Sequence, residues 1–478
     1  MDKFRYVKKE DRKKILLLCD DIRMHSGVAT MAREIVIGTA HHFNWVNIGG
    51  AVKHPEEGKG FDLSQDVNKE AGITDANVKL FAVSGYGTPD VVRQVMKQEK
   101  VDAIFLFTDP RYWTWMFEME REIRKTTPLF YLNIWDDYPT PNYNRDFYRA
   151  CDLLMAISKQ TKNINEIVLG EESKDKVIKY VPHGINSKVF YPITNPKEFK
   201  QLDATYSNMF DGKDIEFVVF YNSRNIRRKS PGDVILSYRQ FCDQIGPEKA
   251  SKCALVMHTQ PVDNNGTDLH AVVEALDQDY LNVFFSSNKL SASQLNTLYN
   301  LADVTMLISS NEGWGLSLTE SMMAGTMIIG NVTGGMQDQM RFVDDKGEWY
   351  VPSVEVPSNH MKTYEECGEW AVPVFPSNIS LVGSVPTPYI FDDRADFRDV
   401  ANAIEQVYNM PSEERKRRGM LGREWVTSEE SGMSANQMCV NTIEAMDEAF
   451  DQWVPRPSYE IYEAGYPTSN KIVHPLVY

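Results

Sequence analysis

The hydrophobic and polar positions of the chain form short apolar runs that alternate with longer stretches of helical spacing. The runs are continuous rather than alternating, and they are rich in Leu, Ile, Val and Phe, which is typical of parallel strands buried on both faces. The first run, Lys14–Asp20, precedes a stretch of helical spacing at Ala29–Gly38. Because parallel strands need crossover connections, usually helices, the pattern predicts an α/β protein.

The same pattern repeats in both halves of the chain. In the first half we predict further strands at Trp45–Ile48, Val78–Phe81, Ala103–Phe107, Leu129–Ile134, Cys151–Ser158 and Val177–Val181, and helices such as Thr88–Gln98 and Trp113–Arg124. In the second half we predict strands at Ile215–Tyr221, Ala254–His258, Asn282–Phe285, Val304–Ile308 and Met327–Ile329. The polar, turn-rich stretch Thr194–Gly212 separates the two series as a linker. A chain of 478 residues is too long for one ordinary core, so two domains are expected.

Composition and charge narrow the class of protein. No apolar run approaches the length of a membrane span, and Ile15–Cys19 is too short for the core of a signal peptide. The 6 cysteines are scattered without a CxxC pair, which predicts reduced thiols and a cytoplasmic location. The net charge is −16, but residues 1–190 carry 28 Lys and Arg against 27 Asp and Glu. This distribution permits a nucleic-acid partner of the first half without arguing for one.

The candidate chemistry centres on Ser309–Gly335, which reads SSNEGWGLSLTESMMAGTMIIGNVTGG. A loop with Glu312 passes through Gly313 and Gly315 into a helix from about Leu316, which carries Glu320 and ends near Gly325. A helix entered through glycines presents free N–H groups and the positive end of its dipole, which together can seat a diphosphate. The two carboxylates that flank this seat are suited to accept hydrogen bonds from sugar or ribose hydroxyls. Two solvated acids at a helix end would show the same spacing.

With AGT and the Gly334–Gly335 loop following, this stretch resembles the E-x7-E donor motif of retaining nucleotide-sugar glycosyltransferases of the GT-B type, as in glycosyltransferase family 4. The resemblance implies two Rossmann-like doubly wound domains facing across a cleft, with C-terminal helices crossing back to the first domain. We expect an acceptor-side domain over residues 1–192 and a nucleotide-sugar domain over 193–410, with an insertion at about 336–394. Residues 411–478 would form the C-terminal helices and a tail packed on the first domain.

The second half also offers cations for a diphosphate. Arg224 and Lys229 lie in the loop between the predicted strand Ile215–Tyr221 and a helix that begins at Ser230-Pro231. Cations five residues apart in one loop can converge on a pyrophosphate, Arg as a fork and Lys as a point charge. The family resemblance gives these two positions that role. It also implies that Glu312 binds the donor sugar, that Glu320 binds the ribose, and that Gly313, Gly315 and Leu316 face the phosphates.

In the first half, polar and aromatic residues follow the predicted strands, at the sheet edge where ligands of such sheets bind. By resemblance, Gly27 matches a glycine that faces donor phosphates or acceptor, and Asp136 matches a His or Asp that faces the transferred sugar. A simple turn would also explain Gly27, and capping of the next turn would explain Asp136. Four residues are candidates for the acceptor side, where the aromatic rings suit stacking on a sugar or nucleobase: Asp109, Tyr112, Trp113 and Trp135.

The reaction implied by the resemblance transfers a sugar from a nucleoside diphosphate to an acceptor hydroxyl with retention of configuration. No DxD motif stands in a suitable loop, so we expect no metal or other cofactor. A non-catalytic nucleotide-sugar-binding protein of the same fold remains an alternative. The chain is also similar in general character to glycosyltransferases of large tailed phages, some of which modify hydroxymethylated bases in DNA. We expect that acceptor, and a polysaccharide, a protein or a small molecule are the alternatives.

Overall fold

The computed structural model describes residues 6–276 and 279–457. These residues form two compact units. The first unit comprises residues 6–184, 385–387 and 435–457, and the second comprises 185–276, 279–384 and 388–434. The C-terminal tail from residue 458, which was predicted to pack on the first domain, lies outside the described residues.

The first unit is built on one sheet. Its strands are β1 (Lys13–Asp20), β2 (Phe43–Ala51), β3 (Gly60–Asp62), β4 (Val78–Ser84), β5 (Ala103–Phe107), β6 (Leu129–Asn133), β7 (Leu153–Ala156) and β8 (Val177–Tyr180). Their order is β3-β4-β2-β1-β5-β6-β7-β8, and all neighbours are parallel except β3, which is antiparallel to β4. Strands β5, β6 and β7 are buried along their whole length, as the continuous apolar runs predicted.

Helices connect these strands in the predicted alternation. They are α1 (Gly27–Thr39), α2 (Ser64–Ala71), α3 (Pro89–Glu99), α4 (Thr114–Glu118), α5 (Glu120–Ile123), α6 (Arg145–Ala150) and α7 (Lys159–Leu169). Short 3-10 turns occur at Pro110–Trp113, Asn142–Asn144 and Gly170–Asp175. The N-termini of α1, α3 and α7 are capped by the side chains of Ser26, Thr88 and Ser158, which accept hydrogen bonds from first-turn N–H groups.

The prediction of one continuous helix over Trp113–Arg124 was wrong. The segment begins as a 3-10 turn and then forms two short helices that meet at Met119, whose N–H donates to the carbonyl of Met116. Such a tight bond closes a helical turn instead of continuing it. The apolar residues still face the core, since Trp113 and Met116 are fully buried, so hydrophobic spacing alone did not reveal the break.

The second unit has a sheet of its own. Its strands are β9 (Phe217–Asn222), β10 (Cys253–His258), β11 (Val283–Phe285), β12 (Val304–Leu307), β13 (Met327–Asn331), β14 (Ala371–Val374), β15 (Asn378–Ser384) and β16 (Thr387–Arg394). The first six form a parallel sheet in the order β11-β10-β9-β12-β13-β14. Strands β15 and β16 form a separate two-stranded sheet. Two parallel, helix-connected sheets confirm the predicted Rossmann-like architecture.

The remaining helices follow in chain order. They are α8 (Pro196–Phe210), α9 (Pro231–Ile245), α10 (Pro247–Ala250), α11 (Leu269–Ala275), α12 (Ala292–Leu301), α13 (Leu316–Met323), α14 (Met336–Met340), α15 (Phe397–Tyr408), α16 (Ser412–Thr427) and α17 (Ala435–Gln452). Two further 3-10 turns lie at Arg227–Lys229 and Asn359–Met361. Helix α17 belongs to the first unit, where Cys439 packs against Gly38 of α1. Among the described residues, no helix is long and apolar enough to cross a membrane.

The stretch Thr194–Gly212 is not the irregular linker that its polarity predicted. It forms α8, whose first turn is capped by Asn195 and begins with Pro196, two residues well suited to a helix start. Phe210 near its end is fully buried and packs against Phe284 at a ring-centroid distance of 5.2 Å. One buried aromatic residue on a largely exposed helix gave too weak a periodic signal to be read from the sequence.

The predicted insertion at about 336–394 includes part of the main sheet. Its strand β14 pairs in parallel with β13 and forms the sheet edge, so the second domain needs part of this segment for its core. The rest of the segment contains α14, the turn Asn359–Met361, and the β15–β16 pair. One part of the segment, β14, is therefore the edge strand of the main sheet, and the rest lies outside that sheet.

Helix α16 reaches the backbone that ends α13, the helix that carries Glu320. A Cβ atom at Gly419 would overlap the carbonyl oxygen of Gly325, which itself has a φ of +80° after the last turn of α13. Only glycine permits this approach without moving the backbone.

We expect Gly419→Ala to lower the free energy of unfolding by about 1–3 kcal/mol, because overpacking forces helix α16 away from Gly325. Gly232→Ala is a matched control, since Gly232 lies in the first turns of α9 with open space around its Cα. The control should be neutral or slightly stabilising. Urea denaturation compares the two variants, and equal midpoints would contradict this account.

Candidate functional site

The candidate site of the second unit lies where the strand order of its sheet reverses. Strand β9 pairs with β10 on one side and with β12 on the other. The strands β10 and β11 therefore extend the sheet on one side of β9, and β12, β13 and β14 extend it on the other. In open parallel sheets, ligands bind at the carboxyl ends of the strands at such a reversal. The loops that follow β9 and β12 carry Lys229 and Glu312, which meet although they are 83 residues apart in the chain.

The loop after β9 presents its cations on a 3-10 turn. The turn covers Arg227–Lys229 and is followed by Ser230, which has a φ of +50° and leads into α9 at Pro231. The ammonium group of Lys229 is nearly buried, and it donates a hydrogen bond to Oε2 of Glu312. A buried lysine held by a carboxylate is a positive charge fixed in place before a ligand arrives.

Glu312 is fixed from several directions. Its side chain is 10% exposed, and besides Lys229 it accepts a hydrogen bond of 3.1 Å from the hydroxyl of Ser309. The guanidinium of Arg228 lies 3.7 Å from the same Oε2 and donates a 2.7 Å hydrogen bond to the carbonyl oxygen of Asn311. The carbonyl oxygen of Glu312 accepts a 3.0 Å hydrogen bond from the N–H of Gly335.

The start of helix α13 depends on two glycines. Gly315 precedes the helix with a φ of +90°, a backbone conformation that other residues rarely adopt. A Cβ atom at Gly335 would overlap the carbonyl oxygen of Gly313. The helix has no side-chain N-cap, so its first-turn N–H groups, including those of Leu316 and Ser317, are the donors that an α-helix leaves without intrahelical partners. Such N–H groups at a helix start are the donors that the predicted seat for an anion requires.

Glu320 has a different environment from Glu312. It is partly buried on α13 and accepts a 2.5 Å hydrogen bond from the hydroxyl of Tyr299, which in turn accepts a 2.8 Å hydrogen bond from the amide of Asn222. Burial raises the pKa of Glu320 to about 7, although the hydrogen bond from Tyr299 opposes the rise. Near neutral pH this carboxyl group is therefore poised between its charged and neutral forms.

The structure brings together most of the predicted donor-site residues. Lys229, Glu312, Gly313, Gly315 and Leu316 surround the start of α13, and Glu320 lies on the same helix. Arg224 differs, because it is exposed and its side chain makes no hydrogen bond or ion pair within the described ranges 6–276 and 279–457. Arg228, interpreted from the sequence as an extra, solvent-facing cation, instead binds the loop of Glu312. Tyr299 and Asn222 were missed, because the sequence gives no signal for them.

The predicted site residues of the first unit lie in different structural environments. Gly27 is the first residue of α1. Asp136 is partly buried, and its carbonyl oxygen accepts a 3.2 Å hydrogen bond from Gln160. Asp109 caps the 3-10 turn that follows β5, accepting a 3.0 Å hydrogen bond from the N–H of Arg111, and it also binds the guanidinium of that residue. Capping and pairing with Arg111 thus account for the position of Asp109.

Of the three aromatic candidates for the acceptor side, only Tyr112 has an open ring. It is 55% exposed and packs against Tyr86 at a centroid distance of 4.6 Å. Trp113 is fully buried, and Trp135 is 6% exposed with its Nε1 donating to the carbonyl oxygen of Asp137 at 2.7 Å. As placed here, the two indole rings belong to the core and have no face available for stacking on a ligand.

We expect the raised pKa of Glu320 to make stability depend on pH. The folded-state pKa of about 7 lies above the ordinary value of 4.5, so its contribution is fully present below pH 4.5 and is lost as pH rises through 7. Glu320→Gln can still accept the Tyr299 hydrogen bond but never ionises. Relative to wild type it should gain about 1–3 kcal/mol between pH 5 and pH 8.5.

Thermal unfolding across this pH range measures the difference. Glu413→Gln, which replaces an exposed glutamate of α16, is the control for a general change of charge. Parallel stability curves for wild type and Glu320→Gln would contradict the assigned environment of Glu320.

Comparisons with known proteins bear on the family and the fold of the chain. Residues 212–366, which lie within the second unit, match the family described as "Glycosyl transferases group 1". Two curated proteins called trehalose synthase, from Thermococcus litoralis and Pyrococcus furiosus, are each 23% identical over 185 residues. This match covers 37% of the chain and 44% of each relative, so it spans less than half of their length.

Solved structures match over a larger share of the chain. Sucrose-phosphate synthase from Thermosynechococcus elongatus has a TM-score of 0.63 and 14% identity, covering 92% of this chain and 100% of that one. The Anabaena HepE protein in complex with UDP and glucose has a TM-score of 0.61 and 13% identity, covering 91% and 100%. At such identities the likeness establishes the fold. The chain thus has the GT-B fold of two Rossmann-like domains, and residues 212–366 of its second unit match the group 1 glycosyl transferases.

Proposed function

We propose that the protein is a retaining glycosyltransferase, which moves a sugar from a nucleoside diphosphate sugar to an acceptor hydroxyl without a metal ion. The observation that carries this proposal is the cluster of Lys229, Glu312 and the glycine-led tip of α13 at the strand-order reversal of the second unit. The match of residues 212–366 to a glycosyl transferase family supports it.

The positive groups of the cluster suit a departing diphosphate. Breaking the bond to the sugar leaves negative charge on the diphosphate, and fixed positive groups in a site shielded from water stabilise that charge most. Lys229 is nearly buried beside the tip of α13, and Arg224 is exposed on the same loop. In this proposal the diphosphate replaces Glu312 as the partner of Lys229 and accepts hydrogen bonds from the first-turn N–H groups of α13. The exposed guanidinium of Arg224 then binds the diphosphate from the solvent side.

The two acids then have separate tasks. Glu312, once relieved of Lys229, accepts hydrogen bonds from hydroxyls of the donor sugar. Glu320 accepts them from the ribose, and its environment suits a neutral polyol, because no cation among the described residues pairs with it and its hydrogen-bond partner is the hydroxyl of Tyr299. Asp136 and Gly27 of the first unit keep the roles that the family resemblance predicts for them, toward the transferred sugar and toward phosphates or acceptor.

The same positive groups are the reason why we propose a transfer reaction without a metal ion. A metal ion in such a reaction would neutralise the diphosphate, and here Lys229, Arg224 and the helix tip can supply that neutralisation. The transfer therefore needs no DxD-type ligand set. We expect the rate to persist in the presence of a chelator.

The relatives suggest which donors and acceptors to test first. Solved neighbours of the same fold hold UDP and UDP-glucose, and the curated relatives and several neighbours are named as synthases of trehalose, trehalose 6-phosphate or sucrose phosphate. We therefore place UDP-glucose first among donors, and sugars and sugar phosphates among the acceptors. A hydroxymethylated base in DNA and a cytoplasmic location remain predictions from the sequence.

The donor is best identified by thermal shift against a panel of nucleotide sugars that differ in base and sugar. A ligand present at 100 times its dissociation constant raises stability by about 2.7 kcal/mol, which such a scan detects readily. The preferred donor is then incubated with sugars, sugar phosphates, polysaccharide, protein and hydroxymethylated DNA, with and without chelator. Retention is read from the anomeric configuration of the product by NMR.

A non-catalytic binding protein of the same fold is the alternative class. It would show donor binding in the thermal-shift scan, but neither transfer nor slow hydrolysis of the donor. Hydrolysis without any acceptor would reject the alternative, because it requires the machinery that stabilises the leaving diphosphate.

We expect Lys229→Ala and Glu320→Ala each to lose at least about tenfold in kcat/KM, since a charge-assisted hydrogen bond contributes about 1.5–3 kcal/mol. Lys252→Ala is the matched control, because this exposed lysine precedes β10 and pairs with Glu216 at the amino-terminal side of the sheet. Its kcat/KM should stay within twofold of wild type. Near-normal turnover in both site variants would reject the assignment.

A further inference from the structure

Three consecutive residues before Glu312, Ser309 to Asn311, are held by strand β16 and by Asn331 at the end of β13. The hydroxyl of Ser310 donates to Oδ1 of Asp392, and the amide of Asn311 donates to the carbonyl oxygen of Phe391. The carbonyl oxygen of Ser310 accepts a 3.0 Å hydrogen bond from the N–H of Asp393. Strand β16 therefore binds the loop of Glu312 through both backbone and side chains.

A residue of the main sheet joins the same arrangement. Asn331, the last residue of β13, is fully buried, and its amide donates to the carbonyl oxygens of Ser309 at 2.9 Å and Asp393 at 2.7 Å. One side chain thus links the loop, the sheet and β16. On its other side the loop is bound by Arg228, so the residues before Glu312 lie between two elements.

The end of β16 is itself anchored by a buried pair of side chains. Nδ1 of His360 lies 3.1 Å from Oδ2 of Asp393, and both side chains are completely buried. The turn that carries His360 is tied to α14, because the N–H of Asn359 donates to Oε1 of Gln337 at 2.7 Å. A buried hydrogen-bonded pair of this kind fixes relative position, since breaking it leaves an unpaired polar group in the core.

We propose that β16, anchored by His360 and Asp393, is the positioning element that sets Glu312 for the donor sugar and so takes part in the choice of that sugar. This inference rests on the proposed function. It assigns a role to part of the segment 336–394. The residues act through Glu312 and need not touch the substrate.

The position of the contacts predicts a selective effect on binding. Glu320 and the helix tip, which are assigned to the nucleotide, lie on α13, whereas β16 contacts the residues before Glu312. Loosening β16 should therefore impair recognition of the sugar and leave recognition of the nucleoside diphosphate nearly intact. A purely structural role would weaken both alike.

The test is the double variant Ser310→Ala with Asn311→Ala, which removes the two side-chain hydrogen bonds to β16 and leaves the backbone bonds. We expect its affinity for the nucleoside diphosphate to stay within twofold of wild type, and its kcat/KM for the nucleotide sugar to fall about tenfold. Discrimination among donor sugars should narrow as well. Calorimetry with the diphosphate alone, and kinetics with two donor sugars, give these values.

The matched control is Asn378→Ala with Ser380→Ala. These residues of β15 make a 2.7 Å hydrogen bond to each other, so the control has the same composition change on the neighbouring strand. It should behave as wild type in both measurements. Equal losses for diphosphate and nucleotide sugar in the Ser310/Asn311 variant, or no loss in either, would overturn the inference.

The buried pair is tested separately with Asp393→Asn and Asp393→Ala. The Asn side chain keeps an oxygen that can accept from Nδ1 of His360, so it should retain most of the wild-type kcat/KM for the nucleotide sugar. The Ala side chain cannot, and kcat/KM should fall at least about fivefold with diphosphate affinity unchanged. Equal activity of the two variants would overturn the role of the pair. If wild type itself binds no nucleotide sugar, the proposed function fails first.

Discussion

The contact on which the site depends is the pairing of β9 with β12 in the second unit. These strands lie next to each other although β10 and β11 intervene in the chain, and their adjacency brings the loops at their carboxyl ends together. Lys229 and Glu312 meet as a consequence of sheet topology, not of any local preference. Residues with no local reason to approach each other then form a nearly buried ion pair, whose desolvation cost is offset by the attraction of the two charges together with the surrounding hydrogen bonds.

The same topology separates two carboxylates that are close in sequence. Glu312 precedes the turn at Gly315 and pairs with Lys229, whereas Glu320 is one turn inside α13 and accepts a hydrogen bond from the neutral hydroxyl of Tyr299. Burial raises the pKa of Glu320, whereas Glu312 is paired with a lysine. A single glycine-led turn thus places two chemically identical side chains in different electrostatic surroundings.

Sequence reasoning succeeded where the signal is local and failed where it is not. Continuous apolar runs located most strands of the two main sheets, though not β3 or β14, and the glycines around Glu312 located the start of α13, because both signals depend on neighbouring residues. The helix α8 was missed because its one buried anchor, Phe210, finds its partner across the unit. Tyr299 and Asn222, which set the environment of Glu320, were missed for the same reason. The sequence does not indicate which tyrosine will donate a hydrogen bond to which carboxylate.

The β16 contacts show how far this limit extends. Asp392 and Asp393 read in the sequence as an adjacent acidic pair with no ligand spacing, and nothing near them points to Glu312, which lies about eighty residues earlier. In the fold, their backbone and side chains bind the residues just before Glu312, and Asn331 joins them to the main sheet. An element outside the main sheet can therefore act on a site at its centre. It does so because β16 lies within hydrogen-bond reach of the loop that follows β12 and of Asn331 at the end of the neighbouring strand β13, whatever their distance along the chain.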